Sequence, residues 1–122
     1  MQSNELLSIV LAALDDGKAN DVKVIDVSAK TSITDYMIIA SGTSERHVRS
    51  LAEQVQEKAK ELGFDVLGME GQDTGEWVLV DLGDAVVHVM KPQIREFYQL
   101  EKLWQGDYGV TAGLPTRAAA NF

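Results

Sequence analysis

A chain of 122 residues, 45% of them apolar, is long enough for one domain with a single core and too apolar to remain disordered. Nineteen Asp and Glu against eleven Lys and Arg leave a net charge of −8, which argues against direct nucleic-acid binding, where Lys and Arg must displace counterions, and favours a basic partner. The absence of cysteine excludes disulfides, thiolate chemistry and cysteine-ligated zinc or iron–sulfur sites. The opening MQSNELLSIVLAALDDGK lacks a basic leader region and carries Glu5, Asp15 and Asp16 in or beside its apolar run. Neither a signal peptide nor an Arg-rich transit peptide is therefore expected, and no run approaches the length of a membrane span. A cytoplasmic domain is the expectation.

In chain order, Ser3 is placed to cap a first helix whose apolar positions are Leu6, Leu7, Val10, Leu11 and Leu14, with Gly17 as its stop. VKVIDVS (22–28) predicts a strand with Val22, Val24 and Asp26 on one side and Lys23, Ile25 and Val27 on the other. DYMIIAS (35–41) predicts a second strand, and its continuous apolar stretch suggests a central position. The polar turn Ser41-Gly42-Thr43-Ser44 supplies the N-cap of a helix that places Val48, Leu51, Ala52, Val55, Ala59 and Leu62 on one stripe and ends at Gly63. A short strand over 64–69 and a polar loop lead to EWVLVDL, Gly83-Asp84, AVVHVM, a hairpin with glycine first in a two-residue turn, the type II′ preference. Pro92 opens a last helix, IREFYQLEKLWQ, on which Ile94, Phe97, Glu101 and Trp104 share a stripe taken to dock on the sheet. Residues 1–105 read as one domain, and 106–122, without periodicity, as a flexible tail. The order αββαβββα gives an α/β mixed sheet, and helices on one side of it would leave the other partly open.

The hairpin turn fixes the register and sorts the side chains by alternation. One face reads Val78, Val80, Leu82, Ala85, Val87 and Val89, purely aliphatic, and must be core. The other reads Trp77, Leu79, Asp81, Val86, His88 and Met90, an aromatic, a thioether, a carboxylate and an imidazole among aliphatics. Either another helix or a second copy of the chain covers this face, or it is an amphipathic patch that receives a partner. Arg95 and Tyr98, three apart on the last helix, could meet at its edge.

Catalytic chemistry has little to stand on in the sequence. The two histidines, His47 and His88, belong to no metal-binding spacing. The strand–turn–helix at SGTS resembles the nucleotidyltransferase arrangement, but those enzymes need paired carboxylates on the next strand to hold two metal ions. Phe64-Asp65-Val66-Leu67-Gly68 offers one carboxylate, and Asp81 and Asp84 straddle a turn. No catalytic residue, metal or cofactor is expected; a residual nucleotidyltransferase is the alternative.

GEWVLVDLGDAVVHVM, followed by R-x-x-Y-x-L-E-x-L-W from Arg95 to Trp104 and preceded by SITDYMIIASGTSERHV, resembles the ribosomal silencing factor family, also called Iojap-like, over roughly residues 3–105. The resemblance implies a nucleotidyltransferase-like fold without catalytic carboxylates. It also implies a homodimer and a repressor that binds ribosomal protein fourteen of the large subunit. Occupying that surface would block an intersubunit bridge and damp translation when nutrients are short. On this sequence the family motifs fall on Trp77, Asp81, Val87 and His88 in the hairpin, and on Arg95, Tyr98, Leu100, Glu101 and Trp104 in the last helix. The resemblance and the mixed hairpin face together name Trp77, Leu79, Asp81, Val86, His88, Met90, Arg95 and Tyr98 as the expected partner-binding set. Without a transit peptide, a bacterial, cytoplasmic member is expected.

Overall fold

The expected order αββαβββα is the order found in the computed structural model, which describes residues 2–99: α1 (Gln2–Asp16), β1 (Asn20–Asp26), β2 (Tyr36–Ser41), α2 (Glu45–Glu61), β3 (Gly68–Glu70), β4 (Trp77–Asp81), β5 (Ala85–Met90) and α3 (Pro92–Tyr98). The strands form one mixed sheet in the order β1-β2-β5-β4-β3. β2 and β5 run parallel at its centre, and every other pairing is antiparallel. That centre explains the composition of both strands. All six residues of β5 are buried, as are five of six in β2, because each strand is covered on both faces.

The hairpin has the register that its turn demands, with Trp77 opposite Met90, Leu79 opposite His88 and Asp81 opposite Val86. Gly83 carries the turn at φ 84, the left-handed backbone that a type II′ first position requires. Val78, Val80, Leu82, Ala85, Val87 and Val89 pack with Leu6, Val10, Ala13 and Leu14 of α1 and with the stripe Val48, Leu51, Ala52, Val55 and Ala59 of α2. Both long helices therefore lie on one face. Gly17 ends α1 where it meets α2, and a side chain there would strike Leu51 and Gln54. Ser44 caps α2, its hydroxyl accepting from the His47 amide at 3.0 Å. The His47 ring ties two turns together: Nδ1 accepts from the Thr43 amide at 2.9 Å, leaving Nε2–H to donate to the Gly17 carbonyl at 2.8 Å.

Several boundaries differ from expectation, each for a local reason. α1 already includes Gln2 and Ser3, so Ser3 lies inside the helix and is not its cap. Leu62 is 56% exposed, because α2 ends at Glu61 and Leu62 belongs to the closing turn. β1 starts at Asn20 with a bulge: three residues advance from Asn20 to Lys23 while β2 advances two, from Ser41 to Ile39, and Asp21 takes up the extra residue at φ 50. The third strand is short, since only Gly68, Met69 and Glu70 pair with β4. α3 closes after Tyr98, where Gln99 turns left-handed at φ 50 and its amide bonds back to the Arg95 carbonyl. The rest of the expected last helix (100–105, with Leu100, Glu101 and Trp104) and the expected tail lie outside the described residues. Among the described residues, no helix is long and apolar enough to cross a membrane.

Candidate docking surface

The second face of the sheet carries its own small apolar cluster, Ile25, Val27, Met37, Ile39 and Met90, with Trp77 and Ile94 packed against it. Ile94 brings α3 onto this face, opposite α1 and α2. Pro92 starts α3 where the lost amide costs nothing, and the Lys91 amide donates to the Glu76 carbonyl at 3.0 Å, tying the start of α3 to the start of β4.

Arg95 fixes the helix laterally. Its Nη1 donates to the Asp21 carbonyl at 2.6 Å and to the Ser41 hydroxyl at 2.9 Å. The first acceptor is the bulge residue of β1 and the second is the buried last residue of β2, so one guanidinium nitrogen bridges two strands. One turn after Ile94, Tyr98 lies over Trp77 with ring centroids 4.9 Å apart and planes tilted by 50°. Phe97 meets Tyr98 edge to face, also at 4.9 Å. The three rings form a ladder that rises out of the sheet, from half-buried Trp77 through Tyr98 (52% exposed) to Phe97 (78% exposed).

Beneath the ladder lies His88, 0% exposed. The Trp77 indole N–H donates to its Nδ1 at 3.0 Å, which makes Nδ1 an acceptor and puts the ring proton on Nε2. Burial alone lowers its pKa from 6.5 to about 3, so the imidazole is neutral at physiological pH. Asp81, at the far end of the hairpin, turns its carboxylate onto the Gly83 amide at 3.0 Å and so braces the turn.

The eight expected partner residues thus divide. Trp77, Asp81, Arg95 and Tyr98 keep accessible surface, and Trp77, Arg95 and Tyr98 are brought together by α3. Leu79, Val86, His88 and Met90 are buried in the folded chain, which corrects the expectation of an open patch: β4 and β5 are central strands, and here they support a surface without forming it. Phe97, read from sequence as part of the docked stripe, is the most exposed ring among the described residues, because Ile94 and Arg95 take the inward positions of α3. Sequence reading also missed Ser41 and the Asp21 carbonyl. Ser41 was visible only as the end of a strand and the start of a turn, and a backbone acceptor at a bulge leaves no signal in the residue types. Among the described residues, no group of three or more His, Asp or Glu is placed to hold a metal ion.

A sequence model described as "Ribosomal silencing factor during starvation" matches residues 1–120, which extends past residue 105, where the motif resemblance ended. A Chromobacterium violaceum protein named ribosomal silencing factor RsfS is 46% identical over 121 residues, covering 97% of this chain and 99% of its own length. A mouse protein named mitochondrial assembly of ribosomal large subunit protein 1 is 37% identical over 101 residues, 80% of this chain and 44% of its own length. A crystal structure of a protein from Chromobacterium violaceum, 46% identical, superposes with a TM-score of 0.85 over 94% of this chain and 98% of that one.

Proposed function

The chain belongs to the ribosomal silencing factor family, and from that premise we propose that it docks on ribosomal protein fourteen of the large ribosomal subunit, blocks an intersubunit bridge and so represses translation when nutrients are short. The observation that carries this reading is the ladder of Trp77, Tyr98 and Phe97, half-buried at its base and exposed at its tip, on a chain of net charge −8. Amphipathic rings held rigidly at a surface are the side chains that anchor protein–protein interfaces, and an acidic chain is steered toward a basic partner. The name of the mouse relative, which refers to assembly of the large ribosomal subunit, supports the choice of subunit. Silencing then needs no chemistry. A bulky domain seated at a bridge position excludes the small subunit sterically, and its negative charge repels approaching RNA.

The homodimer belongs to the same proposal, as do action in the cytoplasm and a fold of nucleotidyltransferase type. What supports the last is the β2–turn–α2 unit beside the parallel β2–β5 pair. Co-sedimentation of the full chain with isolated large subunits, followed by addition of small subunits, tests the function. Stoichiometric binding that prevents subunit joining supports it, with an association rate that falls as salt rises while dissociation changes less. Failure to sediment with large subunits, or magnesium-dependent nucleotide transfer abolished by Asp65→Asn or Asp81→Asn, would refute it.

A further inference from the structure

We propose that His88 is a positioning residue of the docking surface: buried beneath it, His88 holds the Trp77 indole in the orientation on which Tyr98 stacks. The inference rests on the docking function proposed above and adds to it a residue that touches no partner.

The sequence places His88 between Val87 and Val89 in a central strand, where neighbours on both sides are aliphatic. Burying an imidazole there is unfavourable unless its polar atoms find partners. What an imidazole offers over a leucine of similar size is hydrogen bonding, and one such bond is to Trp77. The register explains why these two meet. His88 is paired with Leu79, so Trp77, two residues earlier in β4, is its diagonal neighbour on the same face, within reach of an aromatic side chain. The rings lie 5.9 Å apart at 51°, an arrangement in which the indole edge points at the imidazole nitrogen.

The bond has a consequence for the ladder. A half-buried indole without a fixed partner for its N–H can swing about its side-chain torsions, and its face would then present no single plane to Tyr98. Anchoring the N–H inward turns the other edge and one face of the ring toward α3. Tyr98 is fixed independently, through Arg95 and buried Ser41. Two buried polar side chains, His88 under one ring and Ser41 under the helix carrying the next, thus preorganise a surface that neither of them reaches. Preorganisation of this kind raises affinity by removing the ordering cost from the binding step.

The test uses the full chain carrying Trp104→Phe, which leaves Trp77 as the single indole of a chain with two tryptophans. The indole N–H resonance and its exchange with water report the His88 bond, and titration with isolated large subunits reports docking. His88→Leu is expected to shift the resonance, speed its exchange and weaken subunit binding at least tenfold. His88→Asn, whose amide oxygen stands where Nδ1 stands and can accept the same hydrogen, is expected to recover most of both. A lower melting temperature with resonance and affinity unchanged would overturn the proposal, as would a shifted resonance with unchanged affinity. Should His88→Leu not fold, Trp77→Phe keeps a ring but removes the donor. It should weaken binding about as much as His88→Met, which offers the indole no strong acceptor, and combining the two should cost no more than either alone; additive losses would overturn the proposal. If the parent chain itself does not bind large subunits, the docking function fails, while the indole resonance still reads whether His88 holds the ring.

Discussion

The face of the β4–β5 hairpin that meets α1 and α2 carries six aliphatic side chains and no polar atom, whereas the opposite face sets a tryptophan against a buried histidine and a carboxylate against its own turn. Burial of aliphatics is non-directional, so the first face gains stability from area and close packing whatever the orientation of each side chain. The second face gains orientation from hydrogen bonds, each with a fixed geometry. One pair of strands thus separates two tasks: one side holds the domain together, and the other aims a few rings at the surface.

Substitution on the helix side should produce the largest change in folding and none specific to docking. Leu51→Ala, in the stripe of α2 that covers the hairpin, removes a fully buried side chain and is expected to cost about 2–5 kcal/mol in denaturant melts. Its folded fraction should bind large subunits like the parent chain. A specific loss of affinity in that fraction would break the division between the faces.

The pH dependence of stability sharpens the comparison from the other side. Folded His88 is held at about 3 by burial, against 6.5 for an unperturbed imidazole. Above pH 6.5 both folded and unfolded chains hold it neutral, and its contribution is fully present. As the pH falls below 6.5, the unfolded chain takes up a proton that the folded chain refuses, so stability is lost at up to ~1.4 kcal/mol per pH unit. Between pH 7 and pH 5 the parent chain should lose about 2 kcal/mol more than His88→Gln. Asp26, whose carboxyl is held below its ordinary 3.8 by the Ser28 hydroxyl and amide, gives stability that is present above 3.8 and is lost only as the pH falls further. Its contribution is therefore constant between pH 7 and pH 5 and does not enter the difference. Equal losses in the two proteins would mean that His88 is not held neutral by burial.

A smaller effect is expected from Arg95→Ala. It removes the donor to Ser41 and Asp21, at an expected cost of about 1–2 kcal/mol, and frees α3 to shift along the sheet. The signature that separates it from Leu51→Ala is local: faster hydrogen exchange at the amides of position 95 in α3 and of its cap Gln99, with the helical amides of α1 and α2 unchanged.

Much of this division was readable in the residue types, and the unreadable part has physical causes. The Gly83-Asp84 turn and strict alternation determine both hairpin faces and the pairing of Trp77 with Met90, because a period of two leaves no freedom once the turn is placed. The stripe of α2 was equally legible up to Ala59, failing at Leu62, which the ending of the helix leaves in solvent. Exposure of the mixed face was not legible. Whether His88 and Met90 are open depends on strand order, and the placement of β2 beside β5 is a long-range pairing with no local mark. The Arg95 clamp depends on the same pairing and on a bulge at Asp21; aspartate tolerates a left-handed backbone better than most residues, but it adopts one too seldom to mark a bulge by itself. Phe97 and Ile94 are both apolar and three apart, so periodicity put them on one stripe; packing on the second face selects Ile94, Arg95 turns in to Ser41, Tyr98 stacks on Trp77, and Phe97 is left outside.

Equilibrium binding of Trp77→Ala to isolated large subunits, corrected for the folded fraction, is the most direct test of the mixed face as the docking surface. Because Trp77 is half-buried and bonded to His88, the variant should also lose about 1–3 kcal/mol of folding stability, from lost packing and a buried acceptor left without its donor. The predicted result is that the folded fraction binds about thirtyfold more weakly than the parent chain, a loss of roughly 2 kcal/mol. A folded Trp77→Ala protein that binds large subunits as tightly as the parent would contradict it, and would place the docking surface elsewhere on the molecule.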